Sequence, residues 1–315
     1  MFEVSTGPWW RSTLEEVALT LTELETRLRT ILPEEYQDTY EDIKPVSMGS
    51  AGLRFGTDGQ VAWDEMWATF CDLAMAGGPP HKGTLLEPGT AEEIAREPER
   101  YERVLHDICR GVRMVAELPV RASPVPGWVR VTCPYEAMAG WLLRAIVMEN
   151  VSARVVDGIM LDLPAGPAYR IEKEIKNVVT VIAKTTHYWT GHMRAPQQQE
   201  IDRLLARLAI ESPLVEPARE GSDWSGLAER VAERVERELG LRRSETHYGN
   251  WLGVECPSVP AAIWAMRAMV ASNILSRREG TALFLPLNPV SDPHGQRVLA
   301  NLGLVLDFAR SRGVW

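Results

Sequence analysis

The chain has 315 residues, 45% of them hydrophobic and 24% charged, a balance that excludes disordered, collagen-like and disulfide-stapled miniature folds. Asp and Glu total 43 against 34 Lys and Arg, a net charge of -9, the wrong sign for a protein that holds nucleic acid through its phosphates.

From the N-terminus, Glu15, Glu16, Glu23 and Glu25 occupy the stretch where a signal peptide would be apolar, so a cytosolic protein is expected. Ser12 is placed to cap a helix ending near Ile31, and Thr57-Asp58-Gly59 to turn a hairpin. The longest apolar runs, 178–183 and 261–271, fall short of the ~20 residues that span a bilayer, so no membrane partner is expected. Cys71, Cys109, Cys133 and Cys256 form no C-x-x-C pair, which suits reduced thiols better than a disulfide or a zinc knuckle.

A strand over 60–63, a helix over 65–76, Gly77-Gly78, a strand over 84–87 and a helix over 98–117 come next. This order is shared, in grammar more than identity, by two segments further along the chain. Residues 128–154 and 251–277, at a constant offset of 123, share eleven identities in 27 positions, a signature of duplication. Each copy opens on a short strand, 129–133 or 252–256, and ends it with Cys-Pro, where proline suits a first helical position. The helix after it stops at Asn150 or Asn273, a residue type that tolerates a left-handed cap. A second strand, 159–163 or 282–285, and a second helix, 171–182 or 298–309, complete the unit. Gly78 holds the cap position in the divergent upstream copy. Between the two clear copies lie a helix over 197–210 and a charged one over 224–239, whose apolar stripe Leu227, Val231, Val235 and Leu239 is narrow enough for an appendage.

Strand-helix-strand units make parallel neighbours through right-handed crossovers. The expected class is therefore α/β, with tandem strand-helix-strand-helix units, two clear and a third divergent, forming a mixed or mostly parallel sheet covered by helices. The chain divides into an N-terminal helix and hairpin (1–60), a divergent unit (61–120), a second unit (128–195), a helical insertion (196–250) and a third unit (251–315).

Chemistry-bearing residues gather in two non-repeated loops. The first, residues 76–84, combines Gly78, Gly83, two prolines, His81 and Lys82; the separation of its glycines suits a phosphate loop, but no Lys-Ser/Thr comes after them. There Lys82 would grip an anion and His81 transfer a proton, while the bland reading is a helix stop. The second, residues 184–192, holds Lys184, His187, Tyr188, Trp189 and His192. His187 aligns with Gly313 and so departs from the repeat, as a residue added for a task would; histidine and aromatics also close helix ends in ordinary cores. His247 echoes His187 in a second Thr-His-Tyr, and the two could share a ligand, yet no H-E-x-x-H or Cys/His spacing supports a metal site.

Cys133 and Cys256 stand at helix starts, where a thiolate would be stabilised, though a duplicated Cys-Pro reads first as packing. Arg144 and Arg267 lie in apolar helices and need an anion or a carboxylate, with Asp162 and Glu255 as internal candidates. With Arg154 and Arg277 they could instead line a pocket.

The leading expectation is a small-molecule protein with a cleft between units for an acidic ligand. It could be an enzyme using His81, His187 and Lys184 for acid-base work, with Lys82, Gly78, Gly83, Arg144, Arg154, Arg267, Arg277 and His247 as ligand contacts. No metal or particular cofactor is assigned. The competing expectations are a non-catalytic pseudo-symmetric assembly protein, compatible with a homo-oligomer, and a binder of a flat polycarboxylate such as a tetrapyrrole.

Overall fold

The computed structural model describes residues 20–39, 41, 52–66, 73–81, 83–218 and 225–315. Ser12, Cys71, Lys82, Trp224 and half of the helix expected over 65–76 lie outside them. In chain order the elements are α1 (Leu21–Ile31), α2 (Ala91–Arg96), α3 (Pro98–Ala116), β1 (Val120–Ala122), β2 (Trp128–Thr132), α4 (Glu136–Met148), β3 (Arg154–Asp157) and β4 (Met160–Pro164). They continue with α5 (Lys176–His187), α6 (Ala195–Glu211), α7 (Ser225–Arg234), β5 (Trp251–Glu255), α8 (Val259–Ala271), β6 (Arg277–Glu279), β7 (Ala282–Pro286) and α9 (Gln296–Ser311). Among the described residues no helix is long and apolar enough to cross a membrane. The residues form two compact units, Leu32–Leu205 and a discontinuous one made of Met1–Ile31 with Ala206–Trp315.

In the unit over 32–205, four strands pair antiparallel in the order β1-β2-β4-β3. Helix α4 is apolar nearly all round, with every residue except Glu136 and Gly140 buried, as suits the central helix of a layer. It packs against α5, whose residues from Asn177 to Thr186 are all buried, and α3 packs against α5 as well. The strongly amphipathic α3 turns Tyr101, Val104, Leu105, Ile108 and Val112 inward.

In the discontinuous unit, three strands pair antiparallel in the order β5-β7-β6. Helix α8, buried from Ala261 to Ala271, packs against α9 and α1. Helix α7 is not an appendage. Leu227, Val231, Val235 and Leu239 are all buried, and Val231 presses so close to Gly295 that a Cβ there would lie 2.2 Å from its Cγ2.

The parallel sheet expected from the sequence is overturned, because every pairing between these strands is antiparallel. The physical reason is a hairpin after each central helix that the apolar pattern does not announce. Gly158 (φ 45°) and Gly280 (φ 56°) open two-residue turns that join β3 to β4 and β6 to β7. The crossover through α4 does bring β3 back in the direction of β2, but β4 then folds in between and faces both neighbours antiparallel. Upstream, the expected strands over 60–63 and 84–87 are reduced to single bridges at Val61 and Leu86. The helices begin at Glu136 and Val259, two residues after the prolines expected to start them. Asn150 (φ 60°) and Asn273 (φ 62°) do take the left-handed conformation, whereas Gly77 rather than Gly78 takes it upstream.

At the 123-residue offset β2 and β5 coincide in bounds, as do α4 and α8. The matching extends into loops. Leu86 N–H donates to Asn150 O and Ser152 N–H to Leu86 O, while Val215 N–H donates to Asn273 O and Leu275 N–H to Val215 O. Gly89 and Ala218 likewise donate to Ala165 and Leu287. Leu85-Leu-Glu-Pro-Gly and Leu214-Val-Glu-Pro-Ala therefore make matching backbone contacts, each within its own unit.

Candidate functional site

Helix α5 does not end at His187 but continues as a π turn over Tyr188–His192. In an α-helix, five residues advance 100° each and would leave His187 and His192 about 140° apart. The π turn, with Met193 N–H donating to Tyr188 O at 3.1 Å, instead stacks residues five apart on one face. The two rings lie 5.0 Å apart between centroids, with Nε2 to Nε2 at 3.2 Å.

Glu35, from a single 3₁₀ turn over Glu34–Tyr36, is hydrogen-bonded to His192 Nδ1. That bond holds the proton of a neutral His192 on Nδ1, so its Nε2 lone pair faces His187. Tyr188 backs the pair, its ring 4.6 Å from that of His192 and its hydroxyl 2.7 Å from the hydroxyl of Tyr36. Burial, and then the neighbouring His192, push the His187 imidazole below its ordinary range. The corner is open to small solutes, since His192 is 35% and Glu35 39% exposed.

One turn earlier on α5, Lys184 is 3% exposed and donates from Nζ to Glu149 Oε1 at 2.9 Å. The same oxygen accepts from Ala74 N–H at 2.7 Å, and the Glu149 carbonyl accepts from His81 N–H. The glycine-proline loop is thus tied to the end of α4, and His81 and Lys184 share one anchor. Lys184 is neutralised by Glu149 rather than offered to a ligand. Gly78 is buried and donates to Leu73 O, Gly83 is exposed at φ 72°, and Lys82 lies outside the described residues.

The arginines are mostly engaged. Asp162, fully buried, accepts from Arg130 at 2.8 and 3.0 Å and from Arg154 at 3.0 Å, and Arg154 also covers the Trp128 ring at 4.2 Å. The carboxylate expected beside Arg144 therefore serves two other arginines, and Glu255 accepts from Thr281 instead. Arg144 donates to Gly140 O, and burial lowers its pKa to about 10. Arg267 is 1% exposed within α8. Arg277, the counterpart of Arg154, lies over the rings of Tyr248 and Phe284 at 4.2 Å each and donates to Glu279 at 2.6 Å. Its lowered pKa comes from burial, partly offset by Glu279. His247 is exposed and belongs to the other unit from His187.

Burial drives the thiols of Cys133 and Cys256 up to about 12, so neither is a thiolate near neutrality. A wide depression of about 500 Å³, lined by Gln60, Glu102, Arg103, His106 and Asp107, shares no residue with the imidazole corner.

Of the expected proton-transfer residues, the structure ties Lys184 to the Glu149 carboxylate and His81 to the Glu149 backbone carbonyl, and places His187 a turn beyond Lys184. The sequence reading omits Glu35 and Glu149, and names His192 without giving it a role. The signal in the sequence is the crowding of His187 and His192. No known protein family, curated protein or solved structure matches this chain.

Proposed function

We propose that this chain is an acid-base enzyme acting on a small molecule at the His187–His192 corner. The observation that carries the reading is the chain of contacts from the Glu35 carboxylate through His192 to His187. A carboxylate that orients one imidazole and a second imidazole within hydrogen-bond reach of the first can pass a proton between substrate and solvent. Lys184, Arg154 and Arg277 are paired with carboxylates, so the proposal moves away from a cation-lined cleft. The ligand class it calls for carries an exchangeable proton or an activated acyl group. A cytosolic setting belongs to the same proposal, supported by the free thiols of Cys109, Cys133 and Cys256.

We further read the two matching segments as divergent copies of one module, of which only the first carries the imidazoles; His187 aligns with Gly313. Hydrolysis of p-nitrophenyl acetate tests the working site, because acyl transfer to a neutral imidazole is the simplest reaction it should support. His187→Ala should remove at least about 10²-fold of the catalysed rate, the lower end of acid-base contributions, and Glu35→Gln a smaller part. Equal rates for the wild type and His187→Ala overturn the reading.

A further inference from the structure

We propose that the His187 and His192 rings form a two-imidazole site for a borderline divalent metal ion, of the Zn²⁺ or Ni²⁺ class, with Glu35 as the outer partner of His192. This goes beyond the acid-base reading, since the ion would lie where a proton is otherwise shared.

Two independent features support it. The first is spacing: imidazole nitrogens bound at about 2.0–2.1 Å in a tetrahedral arrangement stand about 3.3 Å apart. The observed Nε2 to Nε2 separation is 3.2 Å. The rings therefore need little movement to chelate, and the π turn has already brought them together. The second is the outer partner. Metal-bound histidines donate the remaining ring N–H to a carboxylate, which fixes the tautomer and raises the basicity of the ligating nitrogen. Glu35 occupies that position on His192 Nδ1.

The charge around the pair also permits a cation. Lys184, the nearest ammonium along α5, is held by Glu149, and the guanidinium of Arg194 stands 3.9 Å from Glu34 on the surface. Among the described residues no group of three or more His, Cys, Asp or Glu side chains is arranged to hold a metal. The site is thus a pair, and its remaining positions fall to water or to a ligand atom, the open coordination typical of catalytic rather than structural ions.

The test is calorimetric titration of the full chain, stripped of metal with a chelator, using zinc chloride and nickel chloride separately. The expected result is saturable uptake of one ion per chain. His187→Ala and His192→Ala should each weaken it more than about 100-fold, and Glu35→Gln by the 10–100-fold typical of outer partners. His192→Gln, with its circular dichroism compared with the wild type, separates lost ligation from lost fold. No uptake, or uptake unchanged in both histidine variants, overturns the proposal. Ester hydrolysis assayed without metal reads the acid-base proposal independently, so either can fail while the other stands.

Discussion

The buried carboxylate of Asp162 shows what one residue does in this fold. It is 0% exposed and takes hydrogen bonds from Arg130 on β2, Arg154 on β3 and Ser123 just past the end of β1. Burying charge is costly unless every partner is present, and removing one member of such a group strands the others. Asp162→Ala should therefore cost about 3–5 kcal/mol, read as a lower denaturant midpoint, while the triple change Asp162→Phe, Arg130→Gly and Arg154→Met should recover much of it. The other unit motivates that rescue, because Phe284 and Gly253 stand at the positions of Asp162 and Arg130 there. In it the surviving Arg277 rests on aromatic faces and pairs with Glu279 of its own strand, with no carboxylate at the position of Asp162. A single substitution as costly as the triple would rule out this account. The sequence alone does not reveal this group: it offers Asp162 and Arg144 as two charges in need of a partner, and only strand register decides which arginines reach the carboxylate.

At the scale of elements, the position of most helices and strands from Trp128 onward is readable from apolar spacing and turn residues, but their direction is not. Direction turns on Asp157-Gly158 and Glu279-Gly280, which reverse the chain before the strand that the apolar run reveals. The four-residue β3, half-exposed and bounded by Arg154 and Asp157, is too short to show an alternating apolar pattern, so its sequence reads as loop. The candidate site is hidden for a related reason: His187 and His192 look unrelated at α-helical spacing, and Glu35 lies far away in sequence. The π turn converts that spacing into contact, and the spacing can be broken. Inserting one alanine after Thr190 sets the two histidines six residues apart, about 120° away from a shared helical face, and should swing the two rings apart. Far-UV circular dichroism should then stay near wild type, while ester hydrolysis and zinc uptake both fall to the level of His192→Ala. Full retention of both would mean that the π turn does not assemble the pair.

For the whole molecule, the two units bear the same strand-helix-hairpin-helix order but are completed differently. The unit over 32–205 is continuous, whereas the other borrows α1 from far upstream in sequence; α1 packs against α8 and buries Leu24, Leu28 and Ile31, none more than 4% exposed. At about 1.5–3 kcal/mol for each fully buried aliphatic side chain, these three represent a large share of the ~5–15 kcal/mol that holds a domain folded. A central helix that is apolar on all sides leaves α8 no polar face to show solvent once that cover is gone. Removing residues 1–31 should therefore raise binding of a hydrophobic dye and eliminate the cooperative unfolding of the segment after Ala206. Hydrogen exchange should show the loss of protection concentrated in α8 and α9. If protection there is unchanged, α1 is dispensable and the unit closes from 206–315 alone. If it collapses while α4 and α5 stay protected, each unit holds its own core, and the imidazole corner is carried entirely by the continuous one.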